Sequence, residues 1–249
     1  MLFLNTIDPE LYQVLSDFCS IPELANFSLA GGTSLSLQLG HRKSDDLDFF
    51  TDHSFDIRPV KEAILRYNSN VLFLSETPQG ISFSLPLPGK TDDARKLDIY
   101  NWAVKFIRPV RKEGTIRLAS LEDIAAFKLD AICHRKEKKD YIDIAVLLEK
   151  FSFEEMLRFY REKFPMNEAR IVLSALFDTE GLENSVDPAM LKSLAVEEAL
   201  QQIHKAAKEY STQQINAKSA YERKRLQDLE KMIKQRNENK PSHKKGRRL

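Results

Sequence analysis

From residue 8 the apolar positions recur three and four apart. Leu11, Val14, Leu15 and Phe18 share one face and Pro9 stands in the first turn behind Asp8, which predicts an amphipathic helix with an aspartate cap. The period then shortens: FSLA at 27–30 reads as a strand running into Gly31 and Gly32, and LDFF at 47–50 reads as another. Between them Thr33 to Leu39 sets Leu35 and Leu39 four apart on a short helix that Gly40 ends. A helix over 57–67, strands at 71–75 and 80–87, and a strand over 95–102 after the polar TDD turn continue the alternation.

From Ser120 the pattern turns helical. SLED has the form of a capping box opening a helix through Cys133, and KKDYIDIAVLLEKF opens the next. Helical periodicity then runs to about residue 240, broken at Pro165, at the loop 178–188 and at Pro241. The expected fold class is α+β: a small mixed sheet with helices over 1–119, a helical domain over 120–210, and a charged helical or disordered tail over 211–249. The final NENKPSHKKGRRL has too little apolar surface to order itself, and no internal repeat is visible.

Composition narrows the class. With 249 residues, 42% of them hydrophobic, the chain can bury a sizeable core. No run approaches the roughly 18–20 apolar residues of a membrane span, and the first residues lack a basic leader, so the expectation is a cytoplasmic protein with no membrane partner. Cys19 and Cys133 are too few for a disulfide framework, and His41 has no Cys or His at zinc-ligand spacing. The net charge of +1 conceals an asymmetry: residues 205–249 hold 14 Lys or Arg against 5 Asp or Glu, which leaves the body acidic. A basic tail suits a polyanionic partner, although solvated charge on a helix produces the same run.

Residues 30–50, AGGTSLSLQLGHRKSDDLDFF, carry the candidate chemistry. Gly31 and Gly32 permit close approach of a large anion, and the N–H groups opening the following helix favour phosphate there. Asp46 and Asp48, two apart on a strand, point to one face, whereas Asp45 points away. Two carboxylates held together call for a hard cation, with Mg²⁺ the ion that bridges carboxylates to substrate phosphates. Asp98 in RKLDIYN adds a third carboxylate between apolar Leu97 and Ile99, where an aspartate without a partner is costly. Three such aspartates can hold two metal ions around an in-line displacement at phosphorus, with a hydroxyl attacking the α-phosphate of a nucleoside triphosphate. No G-x-x-x-x-G-K-[ST] run occurs, which excludes a P-loop.

GGTSLSLQLGHRKSDDLDFF resembles the first motif of the AbiEii/AbiGii toxin-type nucleotidyltransferases of the DNA polymerase β-like superfamily. KLDIYN resembles their third-carboxylate strand, and FKLDAICHRKEKKDYIDIAVLL their later helical motifs, so the resemblance runs over about residues 25–150. It implies a polymerase β-like nucleotidyltransferase domain followed by helices that complete the cleft. It further implies Gly31, Gly32 and Thr33 at the triphosphate, Asp46, Asp48 and Asp98 as Mg²⁺ ligands, and Asp98 helping to deprotonate the attacking hydroxyl. Lys128 would reach the nucleotide phosphates; snorkelling to solvent is the alternative for a lysine on an apolar helix. Arg135, Asp140 and Asp143 become site residues, Asp140 with the catalytic set and the other two at the nucleotide, although both aspartates also suit helix capping. Arg42, after the first site helix, is expected at the triphosphate or the acceptor backbone.

The resemblance also implies a type IV toxin with a cognate antitoxin, an NTP substrate and the tRNA 3′ end as acceptor. The basic tail fits RNA held through its phosphates. An acidic body equally suits a cationic small acceptor such as an aminoglycoside, and a catalytically silent binding module is the remaining reading. Aspartates set on apolar strands favour an active enzyme, since a silent scaffold has no physical need of them.

Overall fold

A mixed sheet of seven strands forms the centre of the protein, whose computed structural model describes residues 1–87, 90–101 and 104–238. The strands are β1 (Ser28–Leu29), β2 (Leu47–Thr51), β3 (Leu72–Thr77), β4 (Gly80–Leu87), β5 (Lys90–Asn101), β6 (Arg111–Glu113) and β7 (Ile116–Leu118), in the order β3-β4-β5-β2-β1-β7-β6. β5 lies parallel to β2 and β7 parallel to β1, while the other neighbours are antiparallel. The helices are α1 (Pro9–Phe18), α2 (Gly31–Leu39), α3 (Ile57–Tyr67), α4 (Leu121–His134), α5 (Lys138–Leu148), α6 (Phe153–Lys163), α7 (Ala169–Phe177) and α8 (Val196–Glu238). Residues Met1–Ala206 make one unit and Ala207–Leu249 a second; the change of pattern between β7 and α4 falls inside the first.

Strand alternation splits the sheet into two chemically different faces. Leu47 and Phe49 of β2, Leu97 and Ile99 of β5, and Ile81, Phe83 and Leu85 of β4 are buried in one core with Leu11, Val14, Leu15 and Phe18 of α1 and Val60 and Ile64 of α3. The intervening residues, Asp48 and Phe50 on β2 and Lys96, Asp98 and Tyr100 on β5, therefore belong to the opposite face. That face looks toward α4, where the Phe127 ring lies 5.2 Å from Phe50.

The departures from the sequence pattern have local causes. α2 begins at Gly31 rather than Thr33, because Gly31 takes φ 62° and turns the chain directly into the helix. Asp8 stands at the N-cap of α1 but makes no cap bond, its carboxylate receiving Arg95 at 3.4 Å instead. Ser120 caps α4 by accepting from the Asp123 N–H, yet Asp123 does not complete the box; a full capping box forms at Ser152 and Glu155. The β6–β7 hairpin, with strands too short to show a period, was not predicted. Arg117 of β7 ties it to the body by donating to the carbonyls of Cys19, Leu24 and Phe27 at 2.8–2.9 Å. Trp102, at the end of the expected strand over 95–102, and most of the low-complexity end lie outside the described residues.

The Asp123 carboxylate is withheld from the cap because it pins the sheet-to-helix connection. It accepts from the Ile107 N–H at 2.9 Å, from the Ser120 hydroxyl at 2.7 Å and from the ammonium of Lys163, 1% exposed, at 3.0 Å. Lys163 also donates to the Lys105 carbonyl at 3.0 Å and sits 5.0 Å from the centre of the Phe127 ring. Removing one partner of such a buried pair leaves the other charge without compensation. Asp123→Ala is expected to lower the free energy of unfolding by about 3–5 kcal/mol, more than Lys163→Met does, since Asp123 would keep its backbone and hydroxyl donors in the second variant. Urea unfolding of the two proteins checks the order.

Candidate active site

The parallel register of β2 and β5 sets Asp48 directly beside Asp98, on strands spaced about 4.8 Å apart. Asp46, one residue ahead of β2, joins them by the same alternation, and Asp45, in the segment before the strand, is exposed. Asp98 is 9% exposed; its Oδ2 accepts from Lys96, two residues earlier on the same face, while its Oδ1 is buried without a hydrogen-bond partner. Burial and the neighbouring carboxylates of Asp98 and Asp46 push the Asp48 carboxyl up to about 6, against the pull of Lys128 and Lys96. The sheet thus concentrates negative charge in a place that resists it.

The glycine turn is shaped around these side chains. A Cβ on Gly31 would stand 2.1 Å from Oδ2 of Asp48, besides the strain of the left-handed φ, and one on Gly32 would stand 2.3 Å from Nη2 of Arg42. Both glycines border a narrow cavity of about 100 Å³ together with the three aspartates, Lys96, Lys128 and Arg135. Thr33, expected at the triphosphate, is 1% exposed: its hydroxyl donates to the Asp46 carbonyl and lies 2.9 Å from Ser44 Oγ. It holds the chain that carries Asp46 from beneath.

Across the cavity stands a buried cluster of charge. Asp143 is 0% exposed and accepts through Oδ1 from His41 and from Nε of Arg42, both at 2.7 Å, and through Oδ2 from Nη2 of Arg42 at 2.8 Å, with Nζ of Lys128 in an ion pair 2.6 Å from Oδ2. Burial alone would raise its carboxyl; Lys128 and Arg42, with the hydrogen bonds from Arg42 and His41, hold it well below the usual carboxylate range. Asp140, also buried, accepts from Lys128 at 2.7 Å and from Nε of Arg135 at 2.8 Å. Lys128 does not snorkel. Burial pulls its ammonium down, and the two aspartates outweigh that and raise it, so it stands charged at the cavity wall.

Three of the expected site residues are turned toward one another. Asp143, expected at the nucleotide, has no exposed surface, and both its oxygens are occupied by His41, Arg42 and Lys128. Arg42, 3% exposed, borders the cavity but directs Nε and Nη2 to Asp143 and Nη1 to the Lys43 carbonyl at 2.9 Å. Asp140, expected with the catalytic set, is likewise buried and faces Lys128 and Arg135. Lys96 was missed, although KLDIY places it in phase with Asp98. So were the aromatic side chains of Phe50, Tyr100 and Phe127, which wall a second chamber of about 470 Å³. The second chamber and the first share Gly31, Asp48, Asp98, Lys128 and Arg135.

A mixed sheet with paired strand carboxylates, a glycine turn opening a helix and a facing set of cations defines a nucleotidyltransferase. The family model described as nucleotidyl transferase AbiEii toxin, type IV TA system, matches residues 13–226, and the chain belongs to that family. An uncharacterised protein of Aquifex aeolicus is 28% identical over 189 residues, covering 74% of this chain and 88% of its own length. Among solved structures, JHP933 from Helicobacter pylori shares the fold with a TM-score of 0.50 at 19% identity, over 86% of this chain and 99% of that one. The nucleotidyltransferase toxin MenT4 of Mycobacterium tuberculosis also has a TM-score of 0.50, at 14% identity, over 80% of this chain and 84% of its own. Among the described residues no helix is long and apolar enough to cross a membrane.

The raised Asp48 value has a consequence for stability. Between about pH 4 and 6 the folded protein keeps a proton that the unfolded chain has lost, so this group's contribution falls as pH rises through that window. Asp48→Asn is therefore expected to be more stable than the wild type at pH 7.5 in metal-free buffer, by on the order of 1–3 kcal/mol. The difference should close as pH falls toward about 4. Thermal melts of both proteins across this range, with chelator present, provide the measurement.

Proposed function

We propose that this nucleotidyltransferase transfers a nucleoside monophosphate from an NTP to the 3′ end of tRNA with Mg²⁺, acting in the cytoplasm as the toxin partner of a cognate antitoxin. The observation that carries the reading is the in-register adjacency of Asp48 and Asp98 beneath the first turn of α2, faced by Lys128 and Arg135. Among the described residues no three His, Cys, Asp or Glu side chains converge as they stand on one metal position. The donor set still suits a hard cation: it is all oxygen, Asp98 Oδ1 is buried without a partner, and Asp48 is destabilised by like charge. Asp46, Asp48 and Asp98 would hold Mg²⁺, which supplies charge stabilisation to the oxygens of the displacement.

The remaining work falls to the chain itself. The N–H groups that open α2 at Gly31 and Gly32 point positive dipole ends at the phosphates. Lys128 is held rigid by two buried carboxylates, and Arg135 is fixed by Asp140 while keeping a side chain 48% exposed; both offer preorganised positive charge to the triphosphate as it changes geometry. Asp98 Oδ1 accepts the proton of the attacking hydroxyl, and pyrophosphate leaves along the cationic wall. Phe50, Tyr100 and Phe127 give the adjoining chamber flat apolar walls for a nucleoside.

An exposed basic stretch supports the RNA acceptor. Residues 212–228 of α8 are exposed throughout and include Arg223, Lys224 and Arg225, within the basic stretch of the sequence. MenT4, with the same fold, is itself a nucleotidyltransferase toxin.

Incubation with each labelled NTP, Mg²⁺ and total tRNA is expected to label tRNA, and Asp48→Ala or Asp98→Ala to reduce labelling by at least about a thousandfold. Label confined to an aminoglycoside would assign a small-molecule acceptor, and no transfer to any acceptor would leave a binding module. Lys128→Ala should raise the KM for NTP and lower kcat, and unaltered nucleotide kinetics would remove it from the site. Replacing Arg223, Lys224 and Arg225 by Gln should raise the KM for tRNA about tenfold and flatten its dependence on salt, with the KM for NTP unchanged.

A further inference from the structure

The loop that follows α7 carries a charge opposite to that of the surface it lies on. Residues 178–188, DTEGLENSVDP, hold four carboxylates and no Lys or Arg. The junction of α4 and α5, residues 135–139, reads RKEKK, four cations around one glutamate. The two meet near both ends of the loop: Lys136 Nζ lies 2.7 Å from Asp178 and Lys138 Nζ 2.9 Å from Asp187. Arg135 and Lys139 of the same junction border the narrow cavity. Lys136 and Lys138 alternate with those two along the chain, so the loop neutralises part of a basic surface that begins at the active site. Stability does not account for the pairing. Asp178 is 59% and Asp187 79% exposed, and ion pairs so open to water and salt contribute little. The loop is held by other means: Lys138 N–H donates to Ser185 Oγ at 3.0 Å, Lys43 N–H to the Ala189 carbonyl at 2.8 Å, and Leu191 N–H to the His41 carbonyl at 2.9 Å. Both aspartate side chains can therefore turn away while the backbone stays. What the pairs do is cancel charge. With them in place a lone anion gains little at either lysine, whereas a chain of phosphates, releasing its counterions as it binds, can replace both aspartates at once.

We propose that Lys136 and Lys138 form the surface on which the backbone of the acceptor RNA approaches the active site, and that Asp178 and Asp187 occupy this surface as an internal substitute for phosphate until RNA displaces them. This rests on the RNA-acceptor reading above and gives the acceptor a place on the body of the protein, apart from the basic residues of α8. It also gives the acidic loop a function: it disfavours anions too small to replace both aspartates and so sharpens the preference for a phosphate chain lying across the junction.

Binding of fluorescently labelled tRNA to the full chain without NTP, over a series of NaCl concentrations, tests the assignment, with melting temperatures confirming that each variant folds. Asp178→Asn with Asp187→Asn is expected to lower the Kd for tRNA about fivefold. Lys136→Gln with Lys138→Gln should raise it about tenfold and make the slope of log Kd against log salt shallower by about 1.5, the loss of two phosphate contacts. Replacing the aspartates in that background should change nothing further, since the charge they cancel is gone. Glu180 and Glu183 are exposed on the same loop, and Glu180→Gln with Glu183→Gln removes the same charge without freeing Lys136 or Lys138; it should shift the Kd by less than about twofold. In transfer, the KM for tRNA should follow these changes and the KM for NTP should stay where it is.

Equal tightening by the glutamate pair, or by the aspartate pair in the lysine-free background, would reduce the effect to long-range charge. An unchanged Kd in Lys136→Gln with Lys138→Gln would remove the surface altogether. Each of these results overturns the proposal while labelling of tRNA by the wild type stands. If the wild type labels no RNA at all, the acceptor reading fails, and this surface falls with it.

Discussion

Asp143 is the point from which the helical side of the cleft is built. Completely buried, it receives three hydrogen bonds, from His41 and Arg42 of the segment after α2, and an ion pair from Lys128 of α4. One carboxylate thereby joins the segment leading to the β2 aspartates to the helix that carries Lys128. Breaking such a buried cluster by removing one partner costs about 3–5 kcal/mol, because the remaining charges lose their compensation without regaining water. Asp140 repeats the device one turn earlier, holding Lys128 from its other side and aiming Arg135 at the cavity. The cations at the cavity wall are thus fixed before any ligand arrives, which is what preorganised stabilisation of developing charge requires.

The sheet side of the cleft works by the opposite principle. There the carboxylates outnumber the cations, and the price is visible in Asp48, whose ionised form is disfavoured until positive charge enters. A helical wall with its charges balanced and a sheet wall with its charges in excess together make a site that is rigid on one side and receptive on the other. Lys96 is the partial exception, a cation placed on the acidic side, where it tempers the excess without removing it. Stability is lower at neutral pH for the sake of a site that gains from its ligand, as functional sites commonly show.

The glycine turn illustrates how one residue type can answer two demands. Phosphate approach was the reason read from the sequence for Gly31 and Gly32. The structure adds a nearer one: the space a Cβ would fill is already taken by the Asp48 carboxylate and the Arg42 guanidinium. The hydroxyl of Thr33 is drawn inward in the same way, to the Asp46 carbonyl and Ser44. These first-motif side chains also assemble the floor on which the aspartates and cations stand.

Much of this protein was legible in one dimension. Hydrophobic period placed α1, α3, β4 and α4 within a residue or two, because each buries one regular face, and the two-residue period put Asp46 and Asp48 on one side of a strand without any knowledge of its neighbours. The motif order fixed the family for the same reason: the chemistry demands those residue types in that sequence. Tertiary structure alone decided what the remaining charges do. Whether Arg42 and Asp143 face a ligand or one another depends on contacts across about a hundred residues, such as His41 to Asp143, and no local pattern encodes such a distance. The adjacency of Asp48 to Asp98, and with it the arrival of Lys96 beside the aspartates, depends on β5 inserting parallel to β2 in one particular register, a choice made by the packed core beneath the sheet.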